Sequence, residues 1–192
     1  LFEFNQTEGI VVDPSGNLIC AGSFSGTSDF DPNAGITNLT AVTGASDIYI
    51  SKLTNNGTLL WARRIGAAPN ETAADVITDA VGNIFVVGSF SATVDFDPGG
   101  GIYNMASVGN SDFYVVKLDP NGNFLWARQG GGAAADWASA IDLDASGNIY
   151  VVGQMSGVAD LNPSATSYTV AAYGGQDAFV LRWDINGNFV WG

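Results

Sequence analysis

The sequence predicts an all-β fold made of three copies of one four-stranded antiparallel unit, each of about 65 residues. Three observations carry that expectation. The first is a fixed period: the phrase G-N-x-x-x-x-G-x-x-S begins at Gly16, Gly82 and Gly147, and N-G-x-x-x-W ends at Trp61, Trp126 and Trp191. Self-similarity at such a spacing marks a stack or ring of identical supersecondary units. The second is the character of the apolar runs, which are short, rich in β-branched and aromatic residues, and free of helical spacing with caps. The third is turn chemistry repeated in phase with the period.

The second copy shows the elements in order. Ala74 to Asp79 reads as a first strand and Ile84 to Gly88 as a second, whose continuous apolar character suits coverage on both faces. A connection from Asp95 to Ser111 follows, then a third strand over Phe113 to Leu118 and a fourth over Phe124 to Arg128. The third copy repeats this with Ile149 to Gly153, Ala178 to Trp183 and Phe189 to Trp191. Within the long connection, Ile36 to Thr40, Ile102 to Ala106 and Ser167 to Ala171 are expected to extend the second hairpin. Strands one and two are joined by Asp13-Pro-Ser-Gly-Asn17, Asp79-Ala-Val-Gly-Asn83 and Asp144-Ala-Ser-Gly-Asn148. Strands three and four are joined by Thr54 to Thr58, Asp119 to Asn123 and Asp184 to Asn188. An Asp at the first position can accept from the backbone two residues on, and the Gly supplies the left-handed conformation that closes the turn. Although D-x-N-G is also a spelling of calcium loops, six copies between strand pairs read as turns.

Composition narrows the class. With 46% hydrophobic, 11% aromatic and 13% charged residues and 25 glycines, the chain is a folded, turn-rich one. No apolar run reaches the roughly 18 residues of a membrane-spanning helix. Leu1-Phe2-Glu3-Phe4 is neither an initiator Met nor a signal peptide, so Leu1 is expected to be a processed end or an internal cut. A net charge of −13, with six basic residues and no His, argues against nucleic acid and anionic membrane surfaces as partners. The single Cys20 aligns with Val86 and Val151 and reads as a buried small apolar residue.

Four strands ending in a large Trp describe a β-propeller blade better than a solenoid rung. The chain divides into blade 1 (1–66), blade 2 (67–131) and blade 3 (132–192), with each Trp filling the space between neighbours. Propellers typically have four to eight blades. Three blades are therefore expected to belong to a longer ring or array, or to close with a second chain. Within Gly131 to Gly153 the spacing Asp136-x-Ala-x-x-Ile-x-x-Asp-x-x-Gly-Asn-Ile-Tyr-Val-x-Gly153 resembles the bacterial SBBP-type β-propeller repeat. The pairing of Asp95-Phe-Asp-Pro98 with Asn121-Gly-Asn-Phe-Leu-Trp-Ala-Arg128 is similar to the variant in large secreted or surface proteins of the Bacteroidetes type. The resemblance covers the whole chain and implies a fold and an extracellular or cell-surface setting, with no single activity. The third copy departs from it, since Asp160-Leu-Asn162-Pro stands for D-F-D-P.

Nearly all acids sit at repeat-locked positions. An up-and-down meander puts the D-x-x-G-N turns at one end and collects Asp29, Asp31, Asp95, Asp97, Asp160 and Asn162 at the other. The strand-entry residues Asp47, Asp112 and Asp177 and the linker acids Glu8, Asp75 and Asp136 belong to that end too, with Arg63, Arg64 and Arg128 as balancing charges. Asp29, Asp31, Asp95, Asp97, Asp160 and Asn162 are candidate calcium ligands, because hard oxygen ligands two apart in an extended segment point the same way. The competing reading has one Asp capping the turn before Pro and the other pairing with Arg or a backbone N–H, and the lack of a D-x-D-x-D-G spelling favours it. Asp47, Asp112 and Asp177 read as acceptors holding neighbouring strands. Lys52, Lys117 and Arg182 read as stems on apolar surface with the charge at the rim; a ligand-binding cationic ring is the alternative.

Without His there is no His-based triad or imidazole zinc site, and no P-loop or dinucleotide fingerprint appears. Asn5, Asn38, Asn56 and Asn70 begin N-x-T sequons, read as chance matches in a bacterial chain. The expected function is a non-catalytic extracellular binding or scaffold module, contributing to adhesion, a surface filament or glycan capture. Its partners would be other blades of the same or a neighbouring chain and a cell-surface glycan or protein. The alternatives are a propeller-type polysaccharide lyase or glycoside hydrolase, and a pure structural spacer. Asymmetry among the copies discriminates, since a specific site should place unlike polar residues at one blade.

Overall fold

The computed structural model describes residues 5–42, 44–67 and 71–192. The sequon at Asn70 and the first four residues lie outside them. The described residues are antiparallel β-structure without helices. The first repeat runs β1 (Asn5–Val12), β2 (Leu18–Phe24), β3 (Thr27–Asp29), β4 (Asn38–Thr40), β5 (Asp47–Leu53) and β6 (Leu59–Ile65). The second runs β7 (Glu71–Thr78), β8 (Ile84–Phe90), β9 (Thr93–Asp95), β10 (Asn104–Ala106), β11 (Asp112–Leu118) and β12 (Phe124–Gly132). The third has β13 (Trp137–Leu143), β14 (Ile149–Asp160), β15 (Thr169–Trp183) and β16 (Phe189–Trp191).

Each repeat is a meander. The first is the sheet β1-β2-β5-β6, with β3-β4 as a two-stranded ribbon beyond it. The second repeats that plan and is joined to the third by a short ladder, Gly131 opposite Asp160 and Gly132 opposite Ala159. The third repeat corrects one expectation. Its second and third strands do not stop at Gly153 and begin at Ala178 but run on to Asp160 and back from Thr169. What forms separate ribbons in the other copies is here continuous with the main ladder, interrupted only by a bulge between Ser156 and Val158. Gly157 makes that bulge with φ +65°, in the place that Gly26 (φ +70°) and Ala92 (φ +58°) hold in the other two copies.

The turns form as expected. Oδ1 of Asp13 accepts from the backbone N–H groups of Ser15 and Asn17, and Oδ2 accepts from the Asn17 amide. Asp79, Asp119, Asp144 and Asp184 repeat the pattern.

The core lies between repeats. Ile19, Ala21, Ile48 and Ile50 of the first repeat pack with Val76, Val86, Tyr114 and Val116 of the second. The alternate residues of the second, Phe85, Val87, Phe113 and Val115, pack with Ile149, Val151, Phe179 and Leu181 of the third. Period-2 alternation sends successive side chains to opposite faces, and among the described residues the middle repeat is the one covered on both. Its four alternate residues are fully buried, whereas Val152 and Val180, the third-repeat counterparts of Val87 and Val115, are 42% and 47% exposed. Cys20 shows the same effect at the other end. Contrary to the expected burial, it is half-buried while its counterparts Val86 and Val151 are fully buried, because among the described residues no sheet covers the outer face of the first repeat.

Two of the three repeat tryptophans, Trp61 and Trp126, reach across a junction, whereas Trp191 is 42% exposed. A Cβ at Gly122 would lie 3.2 Å from two ring carbons of Trp61, and one at Gly187 would lie 3.3 Å from Trp126. Each ring therefore lies against the strand-three-to-four turn of the following repeat, where Gly122 and Gly187 hold φ +76° and +77° and a side chain would crowd the ring.

Candidate functional site

Where strand four of one repeat meets the second hairpin of the next, the structure leaves a cleft, and it does so twice. Between the first and second repeats the cleft has a volume of about 350 Å³ and is lined by Arg63, Arg64, Asp95 and Asp97 among others. Between the second and third it is about 600 Å³, and the corresponding positions are Arg128, Gln129, Asp160 and Asn162. Tyr103, Asn104, Met105 and Asp112 also line the larger one.

The candidate metal residues fall on these rims as three separate loops. In each, the first carboxylate is the turn acceptor. Oδ1 of Asp29 takes the N–H groups of Asp31 and Thr37, Oδ1 of Asp95 those of Asp97 and Tyr103, and Oδ1 of Asp160 those of Asn162 and Tyr168. These donors hold the Asp29 carboxyl below the usual range. The second residue accepts from the N–H two positions on: Asn33 to Asp31, Gly99 to Asp97, Ser164 to Asn162. This is the capping arrangement. Among the described residues no three His, Cys, Asp or Glu side chains converge as a metal-binding group.

Beneath each cleft lies a pair of buried acids. Asp47 and Glu71 at the first junction, and Asp112 and Asp136 at the second, are all fully buried. The strand-entry residues are acceptors, as expected. Oδ2 of Asp47 receives the Val42 N–H and the Arg64 guanidinium. Oδ2 of Asp112 receives the Val108 N–H at 3.0 Å and the Gln129 amide at 3.1 Å. Oδ1 of each has no partner, nor has Oε1 of Glu71. Gly66 and Gly131 make room for those oxygens, since a Cβ there would lie 2.7 and 2.6 Å from Asp47 Oδ1 and Asp112 Oδ1. Burial, with Asp47 nearby and only the Ala67 N–H and Arg64 in opposition, pushes the Glu71 carboxyl up to about 7. Burial and the neighbouring Asp136 push Asp112 up to about 6, against the Val108 N–H and Gln129. Asp136 is raised by burial too, though Ser156 and Gly132 each donate an N–H to it.

Sequence reasoning grouped Asp75 with Asp136 and left Glu71 out. The register corrects this: the N–H of Glu71 donates to Ser46 O as that of Asp136 does to Ser111 O. Asp75 instead sits beside a bulge, where its Oδ2 accepts from the Ile141 N–H of the third repeat. The 65-residue spacing from Glu71 to Asp136 was the available signal.

Two further expectations are corrected. Lys52 and Lys117 do not carry rim charges; they are 6% and 7% exposed. Nζ of Lys52 lies 2.8 Å from Asp13 Oδ2, and that of Lys117 lies 3.8 Å from Asp79 Oδ2 and 4.7 Å from the centroid of the Phe85 ring. Although burial opposes its charge, the Lys52 ammonium and the Asn17 donors bring Asp13 down to about 2. Among the described residues, Arg64 alone of the arginines forms an ion pair with an acid. Arg63 donates to the carbonyls of Asn121 and Gly122, and Arg128 lies over Trp126 and donates to Tyr103 Oη and Ala127 O.

No protein-family model matches the chain. An uncharacterized WD repeat-containing protein of Acanthamoeba polyphaga mimivirus is 30% identical over 152 residues, 75% of this chain and 11% of that protein. The regulatory protein FlaEY of Caulobacter vibrioides is 29% identical over 151 residues, 77% of this chain and 15% of its own length. The chain thus spans a small part of each. A crystal structure of a protein of unknown function from Bacteroides caccae aligns over 97% of this chain and 81% of its own, with 12% identity and a TM-score of 0.33, too low to bear on the fold. The likeness to a WD-repeat protein agrees with a repeated β-architecture.

Proposed function

We propose that the chain is a non-catalytic binding and scaffold module of the propeller-repeat type, akin to SBBP repeats, in a secreted or cell-surface protein. Each repeat is a blade, and the cleft between the second and third is the recognition site for a neutral, hydroxyl-rich ligand, a glycan. The observation that supports this is the break in repeat symmetry. The first junction sets Arg63 and Arg64 against Asp95 and Asp97, whereas the second replaces one base and one acid by the amides Gln129 and Asn162. Amides offer both a donor and an acceptor without the desolvation cost of a charge, which suits hydroxyl groups. The cleft is wider there and carries Tyr103 and Met105 as apolar surface. A chain of net charge −13 would repel polyanionic ligands.

The test is an array of neutral and acidic oligosaccharides probed with the full chain. Retention of neutral oligosaccharides, lost in the double variant Gln129→Arg, Asn162→Asp, is the expected result. Equal retention by that variant, or none by either, would overturn the reading.

A glycoside hydrolase is the second reading, since Asp112, raised to about 6, lines one cleft with Asp160. It stands second because Asp112 is fully buried and an Asp holds the same place in every repeat, as Asp47 and Asp177. Release of reducing sugar, abolished by Asp112→Asn, would promote it.

A further inference from the structure

We propose that one proton is shared between the two buried acids of each junction, carried by Glu71 at the first and by Asp112 at the second. Its loss loosens the contact between repeats, which makes each junction a pH-sensitive catch whatever the cleft above it holds.

Among the described residues, four buried side-chain polar atoms lack a hydrogen-bond partner, and three of them are Asp47 Oδ1, Glu71 Oε1 and Asp112 Oδ1. The backbone brings each pair of acids together in the same way. The N–H of Glu71 donates to Ser46 O at 3.0 Å, next to Asp47, and that of Asp136 donates to Ser111 O at 2.9 Å, next to Asp112. All four acids are fully buried. Neighbouring buried carboxyls resist carrying two charges, so one of each pair keeps its proton and becomes an O–H donor. A proton on Glu71 Oε1, given to Asp47 Oδ1, satisfies two of the three orphan atoms at once. A proton on Asp112 Oδ1, given to Asp136, satisfies the third.

Which acid holds the proton follows from what faces it. Asp47 faces the Arg64 guanidinium and the Val42 N–H, so the charge of the first pair settles there. Glu71 receives the Ala67 N–H at 3.1 Å on Oε2 alone, and the Tyr114 hydroxyl beside it donates instead to Thr72 O. At the second junction Gln129 stands where Arg64 does, and no cation faces the pair. Asp136 takes the Gly132 N–H on one oxygen at 2.7 Å and the Ser156 N–H on the other at 3.0 Å, so the charge settles on Asp136. The two junctions therefore give the proton to opposite members of equivalent pairs. Burial, reinforced by the partner acid, raises both holders, Glu71 up to about 7 and Asp112 up to about 6.

Above those values the proton leaves to solvent, and a second charge is left buried beside the first. The repulsion acts on the Ser46–Glu71 and Ser111–Asp136 backbone bonds that tie successive repeats. At the second junction Oδ2 of Asp112 also holds the Val108 N–H and the Gln129 amide, both on the wall of the larger cleft. Proton loss there reaches the shape of that cleft.

The experiment follows the melting temperature of the full chain against pH for wild type, Asp47→Asn, Glu71→Gln, Asp112→Asn and Asp136→Asn, together with the side-chain carboxyl carbon shifts of wild type. An amide stands in for a protonated acid, so Glu71→Gln and Asp112→Asn should melt at or above wild type at neutral pH. Each should also remove part of the fall in melting temperature as pH rises. Asp47→Asn and Asp136→Asn should melt lower there, since the first gives up the charge facing Arg64 and the second sets an amide N–H against a backbone N–H. Tolerance of the same member at both junctions would overturn the proposal. In wild type the Glu71 and Asp112 carbons should titrate near about 7 and about 6. Titration at their ordinary 4.5 and 3.8 would overturn it even if a variant failed to fold. The same midpoints are expected with calcium chloride or a chelator present; midpoints drawn down by calcium would put a metal ion in the proton's place and overturn it too.

Discussion

The two junctions within this chain are built on one plan and differ at a few positions, which makes each a control for the other. At the first, Arg64 lies on Asp47 and faces Asp95 and Asp97 across a cleft of about 350 Å³. At the second, Gln129 takes the place of Arg64 and Asn162 that of Asp97, and the cleft is about 600 Å³. The apolar packing beneath is the same in kind, and so is the covering of a turn glycine by Trp. The difference teaches that packing and recognition are separable here. Cross-repeat burial builds the junction, while a few polar side chains above it decide what the cleft can hold.

The largest effect should come from the shared layer. Phe113→Ala, in the fully buried face of the second junction, should destabilise by about 3–5 kcal/mol in urea unfolding. Val180→Ala, on the open face of the third repeat, should cost a small fraction of that in the monomer. Equal costs would break the claim that burial between repeats carries stability.

The acid pairs come next. Asp47→Asn leaves Arg64 an acceptor but removes the carboxylate charge that faces it, and should destabilise by about 1–3 kcal/mol. Asp112→Asn keeps the acceptor for Val108 and Gln129 and removes a buried charge that no cation faces, so it should be neutral or stabilising at pH 7. Calorimetry of the two variants would show whether the junctions differ in this sense.

The pH dependence is subtler. An acid whose folded value is raised holds its proton more tightly in the folded state, so stability falls as pH climbs from its ordinary value to the raised one. For Glu71 that window runs from 4.5 to about 7, and for Asp112 from 3.8 to about 6. Asp13 acts in the opposite sense: its contribution is complete above 3.8 and is lost as pH falls toward about 2. Unfolding free energy should therefore decline between pH 5 and 7, and Glu71→Gln should flatten the part above pH 6. A profile that rises there would contradict the placement of these acids.

The smallest effect is expected from Ala92, which holds φ +58° where the other two copies have Gly26 and Gly157. Ala92→Gly should relieve that strain at a cost in chain entropy, for a net gain of about 1 kcal/mol or less.

What the sequence made legible follows the range of the interactions. The D-x-x-G-N turns were readable because Asp13 and its counterparts bond within four residues. The burial of Lys52 and Lys117 was not, since it depends on Asp13 and Asp79 folding back from a hairpin some 40 positions away. A signal existed in the parallel recurrence of Asp13 with Lys52, Asp79 with Lys117 and Asp144 with Arg182. The backbone N–H groups that Asp29, Asp95 and Asp160 accept from are near in sequence and so legible, but the place of Asp95 and Asp160 on a cleft rim is hidden. That rim is completed by strand four of the previous repeat, and no local spacing reports it.

The most direct test of the recognition cleft is amide NMR of the full chain titrated with a neutral oligosaccharide that the array retains. Shifts concentrated at Tyr103, Arg128, Gln129 and Asn162, with the first junction silent, are the expected result. Shifts centred on Arg63, Arg64 and Asp97, or spread over the outer loops, would contradict the assignment of recognition to the second junction.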